Sequence, residues 1–168
     1  MSADVKDAAL LVAQQAFDAA RRGDVAALTT ALGQGLPVNA RNQAGDSLLM
    51  LAAYHGHLEA VRLLLDHGAD PEGRNDRGQS PLAGVAFKGN VAVARALLDG
   101  GASADAAGPD GRTALMFAAM FDHVDMVELL LSAGAQLQRR DASGASAAEL
   151  ARNMGASRVG HLLSLVRS

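Results

Sequence analysis

Histidine is the residue type in this chain with the widest chemical capacity, and three of its five copies lie within one short segment. Imidazole nitrogens can bind zinc and can transfer protons near neutral pH. His55 and His57 are close in sequence, but His67 falls at the far end of a predicted helix. No third or fourth ligand therefore converges on the pair, and we expect neither a metal site nor a bound cofactor.

Four hydroxyl residues recur along the chain and are the other candidates for nucleophilic chemistry: Ser47, Ser80, Thr113 and Ser146. Each stands directly before a predicted helix, where its oxygen can accept a hydrogen bond from a free backbone amide. Cysteine is absent, which excludes disulfides and thiolate zinc sites. The chain also has no glycine-rich phosphate loop and no paired-acid pocket. These patterns indicate that the protein is not an enzyme.

The elements that carry these residues repeat with a period of 33, and glycine marks the period in three series. The series are Gly45, Gly78, Gly111 and Gly144; Gly35, Gly68, Gly101 and Gly134; and Gly23, Gly56, Gly89 and Gly155, with Asp122 in the missing place. A stack of equal units needs left-handed or tight turns at the same internal places, whereas a single compact core does not. The period therefore predicts a solenoid.

One unit covers residues 41–73 and predicts two helices, at about 48–55 and 58–67, each closed by a glycine. Stepping along the period places equivalent units beside it, and we expect them to form a single domain over residues 1–168. The expected parts are an N-terminal capping repeat at 1–40 with a long helix over about 3–22, internal repeats at 41–73, 74–106 and 107–139, and a C-terminal capping repeat at 140–168.

Two segments carry a family resemblance. Residues 56–65, GHLEAVRLLL, followed by GAD at 68–70, closely resemble the ankyrin repeat, and so do residues 110–115, DGRTAL, with GA at 134–135. The resemblance covers three full units and two caps. It implies an all-α solenoid of paired antiparallel helices joined by β-turn or hairpin loops, with about five repeats including the caps. It also implies a concave groove that serves protein–protein recognition.

The chain departs from the family pattern in places. The Thr-Pro-Leu-His tetrapeptide is incomplete in every unit, and the His that links adjacent repeats is absent, so we expect apolar side chains to replace part of that network. Gly84 lies inside a short helix, where glycine is unfavourable. Asp122 stands where a positive φ is expected, which aspartate adopts only at some cost. We predict from the sequence that Asp122→Gly raises stability.

Composition narrows the classes of partner. Apolar residues make up 49% of the chain and charged residues 20%, as is ordinary for a folded soluble protein. The net charge of −3 argues against binding to nucleic acid or to an acidic membrane. No apolar run approaches the roughly 20 residues that cross a bilayer, and residues 1–15 lack the pattern of a secretory signal. We expect a cytoplasmic protein, and the Ala- and Gly-rich composition suggests a bacterial one.

The two residues before the turn that closes each first helix form two neighbouring rows, which we call the ladder residues. One row is Arg21, Tyr54, Phe87, Met120 and Asn153, and the other is Arg22, His55, Lys88, Phe121 and Met154. Three of the chain's five aromatic residues fall on these rows, and two methionines extend them. A large apolar surface in a solvent-facing groove indicates an anchor for a partner. In the alternative interpretation, these side chains fold back and pack on neighbouring loops. The candidate binding residues are Tyr54, His55, Phe87, Lys88, Met120, Phe121 and Met154.

The turn tips carry arginines interspersed with aspartates. One interpretation is a solvated surface with weak local ion pairs, each contributing about 0–1 kcal/mol. The other is a charged rim that steers an acidic partner, for which Arg is well suited because its planar group pairs bidentately with carboxylates. The candidates are Arg41, Arg74, Arg77, Arg112 and Arg140, which lie among Asp46, Asp76, Asp110 and Asp141.

We expect a monomeric module that binds a protein partner through its concave face and acts as an adaptor, regulator, inhibitor or immunity-type protein. The alternative is a structural or self-associating module. A third possibility is a small-ligand pocket in the gap at Gly84. The sequence argues against this pocket, because no set of convergent polar groups accompanies Gly84. A self-associating module would pair through the apolar ladder or through the last helix at Leu162, Leu163, Leu165 and Val166.

Overall fold

The computed structural model describes residues 2–166, which form ten α-helices in five antiparallel pairs. Extended pairing within these residues consists of isolated antiparallel bridges at the turns, such as that between Arg41 and Ser47. The predicted N-terminal cap starts at Met1, and the predicted C-terminal cap ends with Arg167 and Ser168. These three residues lie outside the described residues. The helices are α1 Ala3–Arg22, α2 Val25–Gly33, α3 Leu48–Tyr54, α4 Leu58–Asp66, α5 Pro81–Lys88, α6 Val91–Asp99, α7 Ala114–Met120, α8 Val124–Ser132, α9 Ala147–Asn153 and α10 Ser157–Val166.

The hydroxyl residues are helix caps, as predicted. The Ser47 hydroxyl oxygen accepts a hydrogen bond from the Met50 amide at 3.1 Å, and Ser80 and Thr113 do the same for α5 and α7. At α9 the cap is reciprocal, because the Glu149 side chain also accepts from the Ser146 amide at 2.8 Å. Each cap satisfies a backbone donor that the first turn leaves free.

The helices form two layers. The first helices of the pairs, α1, α3, α5, α7 and α9, contact one another in sequence, and the second helices form a parallel row. Small or β-branched residues recur every 33 positions on the first helices and are fully buried, which lets these helices approach closely. They are Ala19, Ala52, Val85, Ala118 and Ala151. At the place of the absent family His, Met50 and Met116 are buried apolar side chains, as expected.

Two histidines tie adjacent units together, a role that the sequence did not predict. The Nε2 atom of His57 donates to the Arg21 carbonyl oxygen at 2.7 Å, and that of His123 donates to the Phe87 carbonyl oxygen at 2.9 Å. The rings fit because glycine stands opposite them: a methyl carbon at Gly89 would lie 2.7 Å from His123 Nδ1. The helix-closing glycine therefore supplies both a positive φ and room for the next unit.

Asp122 has the predicted left-handed conformation, with φ of 59°. Its side chain also does something that the sequence did not reveal: Oδ1 accepts from the Val159 amide at 2.8 Å, at the start of α10, and Oδ2 pairs with Arg158 Nε at 3.0 Å. The hydrogen bond from Val159, followed by that from Arg158, holds the pKa of Asp122 below its ordinary value. Asp122 is thus a cap supplied across the unit boundary.

The last helix presents less apolar surface than the sequence predicted. Leu163 is 1% exposed and belongs to the core, so it was wrong to place it on a dimer face. Leu162 is half-buried against the same core, while Leu165 and Val166 are exposed. Within residues 2–166, none of the helices has the length and apolar character needed to cross a membrane.

Candidate protein-binding groove

The ladder residues lie at the C-terminal ends of the first helices, and most of them are open to solvent. Tyr54 and Phe87 are each 40% exposed and Phe121 is 39% exposed, whereas Met120 is half-buried against the core. Met154, His55 and Lys88 are exposed. The ends of α3, α5 and α7 therefore form an aromatic surface, and Met120 contributes less to it than the sequence predicted.

The ladder side chains also contact one another. Phe87 and Phe121 meet edge to face, with ring centroids 4.6 Å apart. The Lys88 ammonium nitrogen lies 4.7 Å from the centroid of the Tyr54 ring, which is a cation–π distance. These contacts run between neighbouring units and fix the rings without covering them.

His55 lies beside this surface and packs edge to face on Tyr54, with centroids 5.4 Å apart. Partial burial lowers the pKa of His55, and electrostatic interactions with His57, Lys88 and Arg21 lower it further. Lowering the pKa favours the neutral imidazole at pH 7, so His55 adds polarity to the groove without adding charge.

A cavity of about 390 Å³ opens between the first helices and the turn tips, and Gly84 lies in its floor. Stepping by one period, the residues equivalent to Gly84 are Leu51, Phe117 and Leu150, each of which fills its own place with a large side chain. Gly84 leaves that place empty. A methyl carbon built on Gly84 would touch only the Tyr54 ring, at 3.4 Å.

A second side chain is missing from the lining of the cavity at the turn tip. Asn42, Asn75 and Asp141 are equivalent residues, and each accepts backbone hydrogen bonds across its own turn; the Asn75 side-chain oxygen accepts from Arg77 and Gln79 at 3.1 and 3.0 Å. In the next unit this position is Gly108, which lines the cavity together with Gly84. The Asp110 carboxylate lies against Gly108, 3.3 Å from where a methyl carbon would be added.

The turn-tip arginines differ in how they are held. Arg74 donates to the Gly78 carbonyl oxygen at 2.8 Å, Arg41 donates to the Arg74 carbonyl oxygen, and Arg140 pairs with Glu149 at 2.9 Å. Arg112 lies 3.5 Å from Asp141 and 3.8 Å from Asp110. The side chain of Arg77, by contrast, makes no hydrogen bond or ion pair with the described residues.

The cavity unites some of the predicted binding residues and leaves others outside. Tyr54, Phe87, Arg74, Arg77 and Arg112 line it, while Arg41 lies beside α1 at another depression. Sequence reasoning missed Phe117 and Gly108, and it was wrong that polar groups do not converge at Gly84. The interruption of two 33-residue rows by glycine was the signal for this site. Besides Arg41, the predicted residues that do not line this cavity are His55, Lys88, Met120, Phe121, Met154 and Arg140.

The site has the make-up of a recognition surface. It combines aromatic rings, guanidinium groups and smaller polar side chains on the first helices and turn tips. Within residues 2–166, no three His, Asp or Glu side chains come together as they would to hold a metal ion. What this arrangement can do chemically is bury apolar groups and pair with carboxylates.

The chain belongs to the ankyrin repeat family. The family model of ankyrin repeats in three copies matches residues 16–107 and 68–141, which together are more than half of the chain. A 41-residue segment is 61% identical to part of the Pseudomonas aeruginosa protein PA3287, whose name assigns it to the ankyrin repeat proteins; the segment is 24% of each chain. The all-α ankyrin solenoid predicted from the sequence is therefore confirmed. Ankyrin repeats are generally protein–protein interaction modules, and the family is typically non-enzymatic.

Proposed function

We propose that this protein binds one partner protein through the concave groove, and that it acts thereby as an adaptor, regulator or inhibitor. The observation that carries the proposal is the aromatic surface formed by Tyr54, Phe87 and Phe121. Each of these residues is about two fifths exposed. Exposed aromatic area gains free energy when a partner covers it, and Tyr is among the residues enriched at binding hot spots.

Rigidity of the surface supports the same proposal. Phe87 and Phe121 are held by their edge-to-face contact, and the Tyr54 ring lies under the Lys88 ammonium group. Side chains that are already ordered lose less conformational entropy when a partner binds. The surface therefore loses less conformational entropy on binding than unrestrained rings would lose.

Several further features belong to the proposal. We propose a monomer without enzymatic activity that works in a bacterial cytoplasm and binds neither nucleic acid nor membranes. The net charge of −3 supports the last point because phosphate-rich surfaces repel an acidic protein.

Capture from an extract of the cells that express the protein tests the proposal. Wild type and a Tyr54→Ala/Phe87→Ala/Phe121→Ala variant are immobilised at equal density, and captured proteins are quantified by mass spectrometry. We expect one protein to be enriched by the wild type and lost from the variant. Equal recovery of the same proteins by both would refute groove binding.

A matched control separates the groove from the rest of the surface. On the second-helix row, three exposed residues form no side-chain hydrogen bond or ion pair with the described residues: Asp66, Arg95 and Glu128. The corresponding triple alanine variant should capture the partner as the wild type does. Circular dichroism should show equal helix content for all three proteins.

Self-association is the second candidate, and the exposed Leu165 and Val166 favour it. Light scattering over a hundredfold range of concentration distinguishes the two. A constant monomer mass supports the binding module, whereas a mass that doubles with concentration and returns to monomer in Val166→Ser supports self-association.

A further inference from the structure

We propose that the cavity at Gly84 is the specificity subsite of the groove, and that it receives an apolar side chain from an acidic segment of the partner protein. Carboxylates that flank this side chain would pair with Arg74 and Arg77. The inference rests on the proposed function and adds to it the chemistry of the partner.

The cavity results from a particular departure from the repeat. Leu51 and Leu150 fill the equivalent places in their units and are 8% and 7% exposed. At Gly84 the helix continues without a side chain, although glycine is unfavourable inside a helix. The space of about 390 Å³ lies at the small end of the range of about 300–1,000 Å³ that ligand pockets span, which suits a single bulky side chain.

The walls of the cavity are aromatic. Rings from successive first helices surround it, namely Tyr54 of α3, Phe87 of α5 and Phe117 of α7. An aliphatic or aromatic side chain that enters there exchanges water for ring contacts on several sides. A polar side chain would gain less from these walls, because the ring faces offer no strong hydrogen bonds.

The rim of the cavity is basic, although the chain as a whole is acidic. Arg74, Arg77 and Arg112 line it against a single carboxylate, that of Asp110. Arg112 is already neutralised by Asp110 and Asp141. Arg74 bonds only to a backbone carbonyl, and Arg77 has no bonded partner among the described residues, so the charges of both remain available. Arginine pairs bidentately with carboxylates, and an acidic segment is the complementary ligand.

The surface continues beyond the cavity, which favours a protein segment over a small free acid. The ring of Phe87 lines the cavity and also contacts Phe121, which lies outside it and is 39% exposed. A small acid would use only the cavity, whereas a chain can place one side chain in the cavity and lay its neighbours along the aromatic surface.

Binding of short peptides to the ¹⁵N-labelled protein, followed by NMR, tests the inference directly. The probes are the blocked heptapeptide Gly-Asp-Glu-Phe-Glu-Asp-Gly, its counterpart with Lys in place of each acid, its counterpart with Ala in place of Phe, and phenylacetate. We expect saturable shifts at the amides of Gly78, Gly84 and Gly108 with the acidic Phe peptide. The Lys peptide should produce none, and the Ala peptide and phenylacetate should bind at least about tenfold more weakly.

Two variants of the protein give the decisive comparison. Gly84→Leu restores the residue that Leu51 and Leu150 supply elsewhere, so it fills the cavity without breaking the fold and should abolish peptide binding. Its control is Ala92→Leu, on an exposed face of α6. Arg77→Glu should weaken binding about tenfold, while Arg95→Glu, which changes the net charge equally on the opposite side, should leave it unchanged.

The outcomes separate this inference from the proposed function. Equal shifts with the acidic and Lys peptides, or binding of phenylacetate as tight as that of the acidic peptide, would overturn the acidic-segment inference. If the triple alanine variant loses the captured partner while Gly84→Leu and Arg77→Glu keep it, groove binding stands and the role of the cavity is wrong. Both proposals are supported if the partner is lost by the triple alanine variant, Gly84→Leu and Arg77→Glu and is kept by the control variants on the second-helix row.

Discussion

Glycine recurs at the ends of the helices for two physical reasons, and a pair of substitutions can separate them. Gly89 closes the first helix α5, has φ of 80° and faces the His123 ring of the next unit. Gly68 closes the second helix α4, has φ of 86° and has open space where a methyl carbon would be added. Both lie in internal repeats. Gly68→Ala therefore reports the cost of backbone strain, and Gly89→Ala reports the same cost plus that of the close approach.

The magnitudes follow from the geometry. Left-handed backbone costs alanine about 1–2 kcal/mol, and the loss of freedom in the unfolded chain returns about 0.4–1 kcal/mol to both variants. At Gly89 the methyl carbon would lie 2.7 Å from His123 Nδ1. If the ring swings away, it gives up its bond to the Phe87 carbonyl, which costs about 0.5–1.5 kcal/mol. If it stays, overpacking costs about 1–3 kcal/mol. Gly89→Ala should therefore lower the free energy of unfolding by about 0.5–3 kcal/mol more than Gly68→Ala.

Urea unfolding followed by far-ultraviolet circular dichroism measures both variants, since the chain has no Trp to serve as a fluorescence probe. His123→Ala removes the ring, so the loss in Gly89→Ala/His123→Ala should be smaller than the sum of the single losses. Equal losses for Gly68→Ala and Gly89→Ala, together with additivity in the double variant, would refute the claim that the histidine ring needs the glycine.

Other substitutions test the remaining claims. Gly84→Ala should raise the free energy of unfolding by about 0.5–1 kcal/mol, measured by urea unfolding, because the position is inside a helix and the added carbon makes an ordinary contact with Tyr54. Asp122→Gly should lower the melting temperature, against the expectation from sequence, because relief of backbone strain does not replace the lost cap on the Val159 amide; Asp122→Asn should fall between it and the wild type. Asp141→Asn should reduce the loss of stability in a urea series from about pH 5 to about pH 2. Hydrogen bonds, first from the Ser143 hydroxyl and then from a backbone amide, lower the pKa of Asp141, so its stabilising effect is complete above the unfolded-state pKa and disappears as the pH falls through the folded-state pKa.

Much of the candidate site could be predicted from the rows that the ladder residues form. Tyr54, Phe87 and Phe121 were expected to be exposed, and each is about two fifths exposed. Met120 is more buried than expected. The sequence could not predict this, because the next unit decides whether a side chain at the end of a helix turns towards the core. The role of Arg77 as a binding residue stays a prediction.

The functions of His57 and Asp122 show why the rest of the structure could not be predicted. Each bonds to a residue 36 or 37 positions away, on a neighbouring unit. The sequence placed His57 at a turn but gave no sign of the carbonyl group that it reaches. Such a bond depends on the offset between stacked units, which the period of the repeat does not specify.

The sequence by itself determined the repeat, the helix ends and the caps, because these depend on local backbone conformation: glycine where φ is positive, a hydroxyl residue before each first helix, and apolar residues at helical spacing. Only the tertiary structure decided that Gly84 and Gly108 line one cavity together with arginines. That cavity is built from consecutive units, and its shape depends on how far each unit is rotated and displaced when the helices pack, a property of the whole stack and not of any one repeat.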